Sequence, residues 1–273
     1  MKNLYKLLFL FLILFSLSSC EKIVDIDLRI AEPRLVIDAS ISEQEPCRVY
    51  LTMTQGFRDN EPFKTVTGAE IVLTDQHGNS EVLRESRSMS GIYVSTMVGE
   101  VDKSYHIKVT VDGKSYKAMA TIPKMVPIYE TYIYEIKAGN ESWYSPSYVF
   151  YDPADEENYY YTILSVNQKP MRTIYLDSDE HRNGLRVHRI LFFNKDDNDD
   201  EDLKTGDEIM IELQAIDKGM HTFYKSLFSV AADGATNPIT NFTGDVLGCF
   251  KAYNSSYAYF TVSPDIIYRE SDE

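Results

Sequence analysis

From residue 34 to 123 apolar and polar positions alternate with a period of two, in short runs broken by turn residues. The runs RLVIDASI, CRVYLTMT, AEIVLTD, SEVLRES, GIYVSTM, SYHIKVTV and KSYKAMATI are rich in β-branched and aromatic side chains, which suit a pleated, half-buried surface. In the clearest hairpin, Tyr105, Ile107, Val109 and Val111 alternate with His106, Lys108 and Thr110. Asp112-Gly113 then supplies a two-residue turn, because glycine tolerates positive φ, and Tyr116, Ala118, Ala120 and Ile122 resume the apolar parity. His77-Gly78-Asn79 predicts a second turn. Strands at this spacing predict a β-sandwich over residues 34–124.

Pro123 and Pro127 bracket a short stiff connector, since proline fixes φ and lacks a donor. Beyond it IYETYIYEI, PSYVFYD, NYYYTILSV, RTIYLD, LRVHRILFF, DEIMIELQAI and YAYFTV again read as strands. They predict a second β-domain over 127–265, followed by a solvated tail over 266–273. One segment changes period. Met220, Phe223, Tyr224, Leu227, Phe228 and Ala231 fall at i, i+3, i+4, i+7, i+8 and i+11, one face of a helix over about 218–231. Asp217 is placed to cap its start and Gly234 lies just past its end. The stripe reads as a core-packing face. The fold class is therefore mainly β, with two β-sandwich domains and one amphipathic helix in the second.

The N-terminus sets the address. Lys2 and Lys6 precede an apolar run from Leu7 to Leu17, a positive region followed by a hydrophobic region of secretory-signal length. A spanning helix takes roughly 20 apolar residues, so this run is short for a permanent anchor. Leu17-Ser18-Ser19-Cys20 looks like a bacterial lipobox. It implies a signal peptide over 1–19, a lipid-modified Cys20 as the first mature residue, and a lipidated tether over 20–33. Each buried CH₂ of a lipid chain contributes about 0.8 kcal/mol, so two or three chains hold a protein firmly on a membrane. No Asp follows Cys20 directly, and Glu21, Lys22, Asp25 and Asp27 make the tether charged.

Composition narrows the partners. The 44% hydrophobic content is that of a chain with packed cores. Loss of Lys2 and Lys6 takes the formal charge from −15 to −17, which speaks against nucleic acid and anionic surfaces as ligands. Cys47 and Cys249 remain, in a compartment that permits a disulfide. Cys47 shares parity with Val49, Leu51 and Met53, so small buried thiols are the plainer expectation. Neither CxxC nor clustered Cys/His spacing points to zinc.

The most polar run is NKDDNDDEDLKTGDE, 194–208. With Asp197 as position 1, Asp199, Glu201 and Glu208 fall at 3, 5 and 12, part of the carboxylate spacing of a calcium loop. Asp202 stands where that loop takes Gly, and the flanks read as strands, so a solvated hairpin tip is the competing reading. His77, His106, His181, His188 and His221 have no metal-ligand or triad spacing. GxSxG, HExxH, P-loop and GxGxxG patterns are missing from the sequence, and a non-enzyme is expected. The aromatic supply is more suggestive. ESWYSPSY places Trp143, Tyr144 and Tyr148 in a loop-like segment, where aromatics stack on sugars or anchor a protein partner.

Two resemblances follow. TGAEIVLTDQHGNSEVL, SGIYVS and GEVDKSYHIKVTVDGKSY resemble an Ig-like sandwich of the transthyretin-like or carboxypeptidase-regulatory type. That fold hosts many functions and implies architecture alone. CEKIVDIDL, EPRLVIDASI, DPADEENYYYTI, TGDEIMIELQAIDKGMHTFYKSL and NPITNFTGDVLGCFKAYNSSY, in that order, resemble domain of unknown function 4249, a family of Bacteroidota lipoproteins. An aromatic residue commonly precedes the Phe of its LG-x-F element, where this chain has Cys249. The resemblance implies no activity. It implies an outer-membrane lipoprotein, on the periplasmic or cell-surface face, that assists a TonB-dependent transporter in nutrient capture. A fimbrial subunit or adhesion lipoprotein is the alternative. It would need a processing site that frees a groove in the first domain, and Arg34 and Arg48 are the residues available for one.

Overall fold

The computed structural model describes residues 32–56, 59–154, 156–233 and 237–268. The signal peptide, Cys20, most of the tether, and residues 269–273 of the expected tail lie outside them. The strands are β1 Leu35–Ser42, β2 Pro46–Met53, β3 Glu70–Asp75, β4 Ser80–Val82, β5 Arg84–Glu85, β6 Ile92–Val98, β7 Ser104–Val111 and β8 Lys114–Thr121. They continue with β9 Glu130–Ala138, β10 Glu141–Tyr151, β11 Tyr159–Val166, β12 Lys169–Pro170, β13 Tyr175–Ser178, β14 Arg186–Ile190 and β15 Glu208–Ile216. Helix α1, Lys218–Asp233, precedes β16, Leu247–Thr261, and β17, Ile267–Tyr268. No described helix is long and apolar enough to cross a membrane.

The expected hairpin is present. β7 and β8 pair from Ser104↔Thr121 to Val111↔Lys114, with Asp112 and Gly113 both at positive φ. That is the turn whose twist matches the strands. At the second turn Asp75 Oδ1 accepts from the backbone N–H of His77 and Asn79, and Gly78 has φ 88°.

A nine-stranded sheet runs β12-β11-β15-β16-β1-β2-β6-β5, with β13 also on β11. Strand parity assigns its two faces. One face carries Ile37, Ala39 and Ile41 of β1, Val49 and Leu51 of β2 and Phe250 of β16 into a first core, with Ile71, Ile107 and Val109 of the β4-β3-β7-β8 sheet opposite. Farther along the same face, Tyr160 and Leu164 of β11 and Ile211 and Leu213 of β15 enter a second core. Ile133, Tyr148 and Phe150 of the β14-β10-β9-β17 sheet lie opposite.

Two sandwich cores thus exist, but the cut expected at 124–127 does not separate them. β16, from the second half, pairs in parallel with β1 and antiparallel with β15. It also adds Phe250 and Ala252 to the first core. The described residues from Pro33 to Tyr268 form one compact unit. The reason is geometric: one long strand serves both sandwiches because parity fixes a strand's face and leaves its neighbours free. The asparagine before β16 completes the joint, since Asn241 Oδ1 accepts from Phe250 N and its Nδ2 donates to Phe250 O, so a side-chain amide stands in for a neighbouring strand.

Two further expectations change. The tail is structured at its start, where β17 pairs with β9 through Ile267↔Ile133 and Tyr268↔Tyr134. Helix α1 lies on the outer face of the nine-stranded sheet, over Tyr159 and Tyr161, not in a core. Tyr224 stacks on Tyr161 at 4.7 Å. Met220 is buried, whereas Phe228 stays 39% exposed. Asp217 caps the helix as expected, its Oδ1 accepting from Met220 N at 2.8 Å, and its Oδ2 accepts from Thr121 N at the end of β8.

Burial raises the Asp217 carboxyl to about 6 against these backbone donors. Folding therefore favours its protonated form between the ordinary value near 4 and about 6. The contribution is full below about 4 and falls as pH rises to about 6, by about 3 kcal/mol. Urea denaturation at several pH values is expected to show the stability difference between wild type and Asp217→Asn shrinking across that window. A pH-independent difference contradicts it.

Candidate functional site

The first turns of α1 stand against the start of β11 and the end of β13, and a cleft of about 640 Å³ opens between them. On the β11 side Glu157 accepts from Tyr159 Oη at 2.9 Å and from Lys218 Nζ at 3.3 Å. Those two contacts hold its carboxyl below the ordinary range. His221 lies over Tyr159 with ring centroids 4.6 Å apart. Burial first, and then the Lys225 charge, lower the His221 imidazole, so it is neutral at pH 7. On the β13 side Ser178, Asp179 and Glu180 face the helix residues Thr222 and Lys225.

Beneath this wall Asp177 receives Arg182 at Oδ1 and Arg189 Nε at 3.2 Å on Oδ2. Asp152, which is buried, accepts from Tyr160 Oη at 2.5 Å and from Gly184 N at 3.0 Å. Burial and Asp152 push the Tyr160 phenol far above its usual range, so it remains a donor.

Two aromatic surfaces are separate from the cleft. On the outward face of the β14-β10-β9-β17 sheet, Tyr132 and Tyr134 meet His188 and Tyr268, and Tyr132 Oη is hydrogen-bonded to His188 Nε2. On β16, Tyr257 and Tyr259 stack with centroids 6.4 Å apart. Tyr259 is 75% exposed and edges a groove of about 540 Å³ over Met210 and Pro170. The sequence reading missed both surfaces, although tyrosines at i and i+2 in SSYAYF carried the signal for the second.

The residues singled out from sequence fare differently. Trp143, Tyr144 and Tyr148 lie on β10, not on a loop. Trp143 is exposed and Tyr144 half-buried, but Tyr148 is a core residue, 1% exposed, hydrogen-bonded to Thr162 Oγ1 at 2.7 Å. It points to the opposite face from Trp143 by strand parity and is unavailable to a ligand.

The acidic run does not form a calcium loop. Asp197 Oδ2 accepts from Arg172 N, Thr173 N and Thr173 Oγ1. Asp199 pairs with Lys169, and Glu201 with Lys204. Glu208 opens β15 opposite Thr261. Among the described residues no group of three or more His, Cys, Asp or Glu is placed to hold a metal. The local backbone passes through Asp199 and Asp200 at positive φ. Cys47 and Cys249 are free and buried. Burial raises the Cys47 thiol to about 12 and the Cys249 thiol further. Cys20 lies outside the described residues.

A family model described as a domain of unknown function, DUF4249, matches residues 21–257. The chain belongs to the DUF4249 family. No curated protein matches this DUF4249 chain. Among solved structures, a chain of a cytokine receptor complex is similar at 9% identity and a TM-score of 0.27, covering 83% of this chain and 95% of that one. A DUF4785 family protein from Legionella pneumophila subsp. pneumophila str. Philadelphia 1 is similar at 8% identity and a TM-score of 0.26, covering 67% and 52%. Likeness at that level carries no argument about the fold or function of the DUF4249 chain.

Proposed function

We propose that this DUF4249 protein is a lipid-anchored binding protein of the bacterial outer membrane that assists a TonB-dependent transporter in nutrient capture and performs no chemistry of its own. The observation that carries the reading is Leu17-Ser18-Ser19-Cys20 placed one residue before the family match begins at 21. A leader ending at Ser19 leaves the whole matched segment in the mature chain. The helix-side cleft supports it, since about 640 Å³ lies within the range of small-molecule sites.

The fimbrial alternative calls for strand exchange into a vacated groove. β1, the first described strand, is held between β2 and β16, which favours the binding-protein reading. Affinity purification of the tagged chain from detergent-solubilised outer membrane is expected to recover a TonB-dependent receptor. Recovery of none, or an SDS-resistant ladder of the chain itself, contradicts the proposal.

A further inference from the structure

Asp179 closes the floor of the helix-side cleft and is only 8% exposed. Its backbone is fixed twice, the N–H donating to Asn158 O at 3.1 Å and the C=O accepting from Arg182 N at 2.7 Å. Its carboxylate has neither hydrogen bond nor ion pair among the described residues. The two arginines beneath it are taken by Asp177, and Tyr160 with Gly184 N by Asp152. The Asp179 oxygens are not sealed in the interior, so the carboxylate opens onto the cleft and is held by water there until a ligand displaces it. Of Asp152, Asp177 and Asp179, Asp179 is the one whose carboxylate has no ion pair or hydrogen bond among the described residues, and it is left for something that enters from outside.

The opposite wall carries the complement. Lys225, exposed on α1, takes part in no ion pair among the described residues. Lys218 is neutralised by Glu157, and His221 is uncharged at pH 7. The cleft therefore holds one unpaired anion in its lining and one unpaired cation on the helix side, with the exposed Glu180 beside the anion. We propose that the cleft binds a small molecule bearing both a primary ammonium and a carboxylate, a free amino acid or short peptide, with the ammonium on Asp179 and the carboxylate on Lys225. Asp179 and Glu180 outnumber Lys225, so neutral and basic ligands bind ahead of acidic ones. The inference rests on the binding-protein reading above and adds to it the ligand's chemical class.

The test is calorimetric titration of the purified full chain with L-leucine, L-lysine, L-glutamate and the dipeptide lysyl-alanine, beside N-acetyl-L-leucine and L-leucinamide. Binding of leucine or lysine is expected, weakened at least about tenfold, or about 1.4 kcal/mol, by N-acetylation and by Asp179→Asn. Lys225→Met is expected to weaken leucine more than leucinamide. Stronger binding of the dipeptide than of either amino acid assigns the site to peptides within the same class. Heat from none of these probes at about 10 mM overturns the proposal. So does N-acetyl-leucine binding as tightly as leucine, a comparison that needs no variant to fold. A chain that recovers a transporter yet binds none of the probes overturns the ligand class and leaves the proposed function standing.

Discussion

Gly248→Ala is expected to lose more than about 4 kcal/mol of stability, or to leave the chain insoluble. Gly248 has φ 100°, where an L side chain is strained by about 1–3 kcal/mol. The larger cost is a collision. A Cβ there would lie 2.0 Å from Ile37 O and 2.6 Å from Ile37 C. Ile37 cannot retreat, because β2 holds β1 from the other side through Ile37↔Leu51. Gly78 separates the two costs: it has φ 88° with nothing within 4 Å of a built Cβ. Gly78→Ala therefore carries the backbone strain alone. Urea midpoints measured for both variants should differ widely. A Gly248→Ala protein no less stable than Gly78→Ala contradicts the parallel β1–β16 register that joins the two cores.

Asp152→Ala is expected to cost about 3–6 kcal/mol, the sum of two hydrogen bonds to a charged group at about 1.5–3 kcal/mol each. The carboxylate is 5% exposed and links Tyr160 of β11 to Gly184 before β14. Its removal leaves the Tyr160 hydroxyl buried without its acceptor. Tyr160→Phe should cost less, since Asp152 keeps Gly184 N. The double variant should fall well short of the sum, because Phe has no hydroxyl left to strand. Strict additivity in denaturant unfolding would mean that the pair does not interact. Asp152 also supports the loop beside Asp179, so its loss is expected to reach the cleft.

Strands were legible where one face is buried and one is wet. The hairpin at Asp112-Gly113 follows from alternation plus a residue pair suited to positive φ. Tyr148 sits in a strand that shows no alternation, since Ser145 through Phe150 are all buried on both faces. A period of two cannot be read from such a run. The parallel pairing of β16 with β1 was out of reach for another reason, being a choice of neighbour across some 210 residues with no local signature. Asp177 and Asp179 are indistinguishable in YLDSDE. That one takes both arginines and the other takes none is decided by tertiary packing alone.

A fatty modification at the processed end of the chain is what ties the protein to its membrane in the proposed function. Intact-mass and N-terminal peptide spectrometry of protein purified from its native membranes tests it directly. The prediction is a mature chain beginning at Cys20, heavier than its amino-acid mass by a diacylglyceryl group and any further acyl chain. A first residue other than Cys20, or an unmodified Cys20, contradicts it.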